Sequence, residues 1–123
     1  MRLTSHVDVI SIKYSLIRPL REGRVITVIR TAAAFPGTTG EALVWAKEIA
    51  TIVKRATGKE QIVCTAFAGL LSDIAWIGQY DSVAEYDELR TKVVSDHDYV
   101  AAAKRARNLF VPGSERDQVW KHE

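Results

Sequence analysis

One cysteine, three prolines and three histidines are all that 123 residues hold of the side chains that most often staple, break or ligate a chain. With Cys64 alone no intramolecular disulfide can form, and cysteine usage gives no argument for secretion. No run of about 18 apolar residues occurs, so no helical membrane span is expected. Near the N-terminus Asp8, Ser11 and Lys13 break up any signal-like apolar stretch. The formal net charge is only +2, too small in itself to attract nucleic acid or an anionic membrane surface. A soluble, cytoplasmic protein is the expectation. Glycine-rich phosphate loops, nucleophile elbows, paired-carboxylate motifs and cofactor fingerprints are missing as well, so no cofactor is expected. No second histidine or cysteine stands at ligand spacing, which leaves a metal site without support.

What is present is enough apolar material for a core. Hydrophobic residues make up 47% of the chain and charged residues 26%, an ordinary globular balance. A chain of this length buries roughly two-thirds of its unfolded surface and has room for one domain, residues 1–123. Residues 41–56 organise the rest. Ala42, Trp45, Ala46, Ile49, Ile52, Val53 and Ala56 recur three and four apart, one wide apolar stripe on a helix that must be buried against something. Thr38 with Glu41 reads as a capping box at its start, and Gly58 falls where a left-handed cap would end it.

The flanking segments read as strands. Residues 24–32 are rich in Val, Ile and Thr, with Val25, Thr27, Ile29 and Thr31 on one face and Ile26, Val28 and Arg30 on the other. Residues 61–68 are nearly all apolar, and residues 73–80 place Ile74, Trp76, Gly78 and Tyr80 opposite Ala75, Ile77 and Gln79. Ser82 with Glu85 reads as a second capping box, opening a helix through Val83, Tyr86, Leu89 and Val93. Residues 95–98 interrupt it. Ser95 or Asp96 then caps a further piece running to about Leu109, which Pro112-Gly113-Ser114 stops. Residues 118–121 supply a short last strand. Residues 1–23 form an N-terminal extension in which Ile10, Ile12, Tyr14 and Leu16 alternate as in a strand, while Val7, Ile10, Tyr14 and Ile17 fit a helix. From residue 24 to about 120 the order is β-α-β-β-α-β, a ferredoxin-like α+β sandwich with both helices on one face of an antiparallel sheet.

Two helices cover one face, yet the strands are apolar on both, and soluble monomers rarely expose so wide a patch. Pairing two sheets across a two-fold axis removes it, so a homodimer through the sheet face is expected. The rival arrangement folds the N-terminal segment over that face.

The order of elements, Ser82-Val83-Ala84-Glu85-Tyr86 and Ser95-Asp96-His97-Asp98-Tyr99 resemble the dimeric α+β barrel superfamily. Pro36-Gly37, the run Glu41-Ala42-Leu43-Val44-Trp45-Ala46-Lys47-Glu48 and Leu109-Phe110-Val111-Pro112-Gly113-Ser114 resemble its NIPSNAP-like branch. Relatives commonly carry Asp-Pro where this chain has Asp96-His97. The resemblance implies the fold and the dimer. It also implies a range of activities, among them cofactor-free oxygenation, isomerisation, haem handling and none at all.

Four residues are candidates for a site. His97 reads as a general acid/base or metal ligand, or as a solvated helix-start residue. Arg30, charged on a mostly apolar strand, needs a partner: a carboxylate or solvent at the strand end, or an anionic ligand. Trp76 and Tyr80 share a strand face and serve as core, or as a flat wall for an aromatic or polyketide-like ligand to which Thr27, Thr65 and Gln79 add hydrogen bonds. Cys64 reads as an inert core thiol. RNA-recognition modules share the element order, but residues 73–80 lack the basic and aromatic motif that stacks bases. Three readings follow: a small-molecule-binding protein or cofactor-independent oxygenase- or isomerase-like enzyme; a non-catalytic interaction protein; and a haem-handling protein with His97 in the pocket. An enclosed cavity favours the first, and a solid core the second.

Overall fold

The computed structural model describes residues 25–123; His6 and the strand or helix expected within residues 7–17 lie outside the described residues. In chain order come β1 (Ile26–Ala33), α1 (Thr39–Thr57), β2 (Ile62–Thr65), β3 (Asp73–Tyr80), α2 (Val83–Val94), α3 (His97–Ala103), a 3-10 turn (Ala106–Asn108) and β4 (Arg116–Lys121). The strands line up as β2-β3-β1-β4, and every neighbouring pair is antiparallel. This is the ferredoxin-like α+β arrangement, with the first and third strands at the centre.

Register decides what each strand offers the helices. Ile26, Val28, Arg30 and Ala32 of β1 stand opposite Tyr80, Gly78, Trp76 and Ile74 of β3. Those positions face the helices: α1 brings Ala42 and Ala46 against Ala32, Ile74 and Trp76, and α2 brings Tyr86 and Leu89 against Ile26, Val28 and Tyr80. Ile49, Ile52 and Val53 of α1 continue into a cluster with Val93 and Ala102. The stripe read on α1 is the buried one.

The opposite face is more mixed than the alternation of apolar residues predicts. Ile62, Ile77 and Ile29 form one apolar row across β2, β3 and β1. Beside it Thr27 pairs with Gln79 and with Trp120. The Thr27 hydroxyl lies 2.7 Å from His122 Nε2 and accepts from Gln79 Nε2 at 3.4 Å.

Local starts and stops differ from expectation in three places. Thr38 does not form a capping box with Glu41. At φ −112° and ψ 8° it lies outside the extended region that aims a cap hydroxyl at the first turn. Its hydroxyl donates instead to the carbonyls of Phe35 and Leu109, 2.8 and 3.2 Å away, tying β1's exit to the chain after α3. The apolar run 61–68 pairs only over Ile62–Thr65; the chain then loops through Gly69, at φ 86°, to reach β3, leaving Phe67 exposed. The helix read to about Leu109 ends at Ala103. An isolated bridge from Phe110 to Ala34 and the Val111 N–H on the Ala33 carbonyl pull the chain back to the sheet. Elsewhere the signals hold. Gly58 caps α1 at φ 78°. Ser82 Oγ accepts from the Glu85 N–H at 3.0 Å, while the Glu85 carboxylate takes the Asp81 N–H, so half of that capping box forms, and Asp96 accepts from the N–H groups of Asp98 and Tyr99.

Candidate functional site

Helices and sheet do not meet everywhere. Between them lies a cavity of about 470 Å³, within the range of small-molecule sites. Small residues on both sides leave the room. Ala103 and Ala106 line the helical side, and Ala32 and Gly78 the sheet. At Gly78 a Cβ would stand 3.2 Å from the hydroxyl oxygen of Tyr80. The Tyr80 ring therefore folds back along its own strand, over the gap where a side chain would otherwise sit.

The apolar walls are aromatic and held by polar anchors. Trp45 and Trp76 meet edge-on with centroids 6.2 Å apart, and Phe110 packs 5.3 Å from Trp45. Each indole N–H is satisfied: Trp76 donates to the Ala46 carbonyl at 3.1 Å and Trp45 to that of Ala102 at 2.9 Å. Rings fixed by both packing and hydrogen bonds present flat surfaces at little entropic cost. Tyr80 and Tyr86 pack with centroids 4.9 Å apart. Burial, reinforced by Tyr86, pushes the Tyr80 hydroxyl above its usual range, so it stays a phenol at neutral pH. Gln61 also lines the cavity, and its buried side-chain carbonyl oxygen has no partner among the described residues.

Charge enters from several elements. Arg30 of β1 reaches Asp117 of β4 as a fork, Nε to Oδ1 at 2.7 Å and Nη2 to Oδ2 at 2.8 Å. That bond raises the guanidinium's hold on its proton and draws the Asp117 carboxyl below its usual range. Arg90 of α2, Arg107 of the 3-10 turn and Glu115 also line the space.

Arg30, Trp76 and Tyr80 thus stand together on one side of the sheet and line one cavity. His97 does not join them: it is the exposed first residue of α3 and is outside the lining. Thr27 and Gln79 cannot hydrogen-bond into this space, because odd positions of β1 and β3 point to the other face. Thr65 is exposed at the end of β2 and outside the lining. Cys64, half-buried on the edge strand opposite Ala75, is on that other face too. The contributions of Gln61, Gly78, Arg90 and Arg107 are not legible as a motif. Arg90 had a signal, lying four residues after Tyr86 on the stripe that faces the sheet.

A family model described as NIPSNAP matches residues 28–121. The chain belongs to the NIPSNAP family. Comparison with curated proteins finds no match. Solved structures do match. A NIPSNAP-like domain protein from Burkholderia xenovorans has a TM-score of 0.71 at 12% identity, over 83% of this chain and 88% of its own. A NIPSNAP family protein from Agrobacterium tumefaciens has a TM-score of 0.68 at 23% identity, over 77% and 90%. SnoaB, a cofactor-independent oxygenase from Streptomyces nogalater, has a TM-score of 0.61 at 10% identity, over 81% and 94%. At these identities the likeness is one of fold, and it is the fold the sequence resemblance implies. Among the described residues of this NIPSNAP chain, no helix is long and apolar enough to cross a membrane. Nor does any group of three histidine, cysteine or acidic side chains among them stand ready to hold a metal ion.

Proposed function

We propose that this NIPSNAP chain binds a small, flat, largely apolar molecule between its sheet and helices, with Arg30, Trp76 and Tyr80 in the lining. One observation carries the reading: a space of about 470 Å³, open at a rim that includes the exposed Arg90, Ala103 and Arg107, lies against rings anchored by hydrogen bonds. A core packed solid would have favoured an interaction protein. The fold likeness to SnoaB, a cofactor-independent oxygenase, is the support for an oxygenase-like reaction, and proton abstraction in such a site needs a base aimed at substrate. His97 lies outside the lining, Tyr80 holds its proton, and the one carboxylate in the lining, Glu115, stands at an exposed position, so binding is the reading we adopt. The same position of His97 counts against haem handling. The ordinary soluble composition favours a cytoplasmic setting.

The isoleucine row on the sheet face away from the helices supports pairing with a second copy of the chain. Light scattering at low concentration tests this: a dimer is expected, and a compact monomer overturns it.

For the cavity, neutral aromatic probes such as indole, 2-naphthol and 3-phenylpropanamide are titrated while tryptophan emission and thermal unfolding are followed. Trp45 and Trp76 border the space, so quenching is expected. Saturation at a hundred times Kd adds about 2.7 kcal/mol of apparent stability. Ala103→Trp, at an exposed position bordering the space, narrows it and weakens both responses. No response from any of these probes, with acids of the same shape equally silent, overturns the reading.

A further inference from the structure

We infer that the cavity's ligand is an aromatic carboxylic acid whose carboxylate is taken by Arg90 and Arg107, while Arg30 serves the wall. This rests on the cavity reading above and adds the chemical class. Arg30 is the cation the sequence singles out, but both of its forked donors are engaged by Asp117. Arg90 and Arg107 also line the cavity, come from different elements, and have no ion-pair partner among the described residues. Arg90 is near enough to Asp117 to lower that carboxyl further, yet both Asp117 oxygens already face Arg30.

The charge count points the same way. Three guanidiniums line the space against the carboxylate of Glu115 and, through Arg30, that of Asp117. One positive charge is left over. Beside apolar walls such a charge is less screened than in open water, and a planar guanidinium fits a carboxylate oxygen by oxygen. The aromatic rings then hold the body of the molecule. A neutral molecule of the same shape would fill the space and leave the surplus charge uncompensated.

The test is a matched panel: aryl-alkanoic acids with one to four methylenes and their primary amides, titrated against the full chain by tryptophan quenching. Acids are expected to bind at least ten-fold more tightly than their amides, an advantage that shrinks as salt is raised. In the double variant Arg90→Gln/Arg107→Gln, at two exposed positions, the acids lose ten-fold or more and the amides stay within two-fold. Arg90→Lys/Arg107→Lys, which keeps the charge and loses the fork, recovers part of the loss. Acids and amides binding equally, or an acid preference that survives the double Gln variant, overturns the carboxylate assignment and leaves the cavity reading standing. Binding by neither series, with the neutral probes also silent, overturns both.

Discussion

Replacing Asp117 by Asn should lower stability and raise affinity for an acid at the same time. In the native pair a bidentate fork joins Arg30 to Asp117 across two strands, at 2.7 and 2.8 Å. Charge-assisted hydrogen bonds are worth roughly 1.5–3 kcal/mol, and fully exposed pairs about 0–1 kcal/mol. These side chains are 31% and 38% exposed, so solvent screening discounts the pair toward the lower range. We expect a loss of about 1 kcal/mol, which for a domain of this size is a fall in Tm of about 3–6 °C. The sign with pH follows from Asp117, whose folded carboxyl is held below its ordinary 3.8. The pair's stability is fully present above that value and is lost as the pH falls through the folded pKa. Urea unfolding of the wild type and Asp117→Asn should therefore differ by a constant amount from pH 7 to about pH 4.5 and converge below pH 3.8. Meanwhile Arg30, released into the cavity lining, becomes a further anion donor, and aryl-alkanoic acids should bind more tightly to the variant. Equal stability at pH 7, or a gap that widens in acid, would refute the coupling. Weaker acid binding would refute the division of labour among the arginines.

Ile74 is fully buried beneath α1. Ile74→Ala should cost about 2–4 kcal/mol in denaturant titration, the upper half of the range if the site cannot collapse. Ser82→Ala removes the acceptor for the Glu85 N–H and should cost about 1 kcal/mol by the same measurement, with helicity lost from the α2 end in amide exchange. His97→Ala should leave probe affinity within two-fold. A larger loss would bring that residue back into the site.

The fold was readable because its signals are local and repeat each other. The α1 stripe, the Gly58 cap and the Ser82–Glu85 pair each fix an element without reference to the rest of the chain. The Thr38 cap failed because its backbone is not extended and its hydroxyl is taken by the Phe35 carbonyl and, from 71 residues away, by that of Leu109. The end of α3 moved for a similar reason, since Phe110 is drawn to Ala34. The site was half legible. Arg30, Trp76 and Tyr80 share an even-numbered face, so alternation alone gathers them. Alternation should equally have removed Thr27 and Gln79. Arg90 and Arg107 needed the third dimension: the first faces the space only because α2 lies over β1, the second only because a 3-10 turn replaces more helix. Gly78 announces nothing as a residue type, and its role is to be empty space beneath a ring.

The partner of Arg30 lies 87 positions further along the chain, on the strand that completes one side of β1. During synthesis, β1, α1 and β3 emerge before β4, so that side of β1 lacks its partner strand and the guanidinium lacks Asp117. Such an edge invites pairing with a neighbouring nascent chain, and an inward charge makes that pairing unfavourable. In the folded sheet Arg30 is the clasp between β1 and β4, and it can close only once Asp117 is in place. The same placement means that assembly waits for the most distant contact in the sheet, the kind that loop closure makes slow.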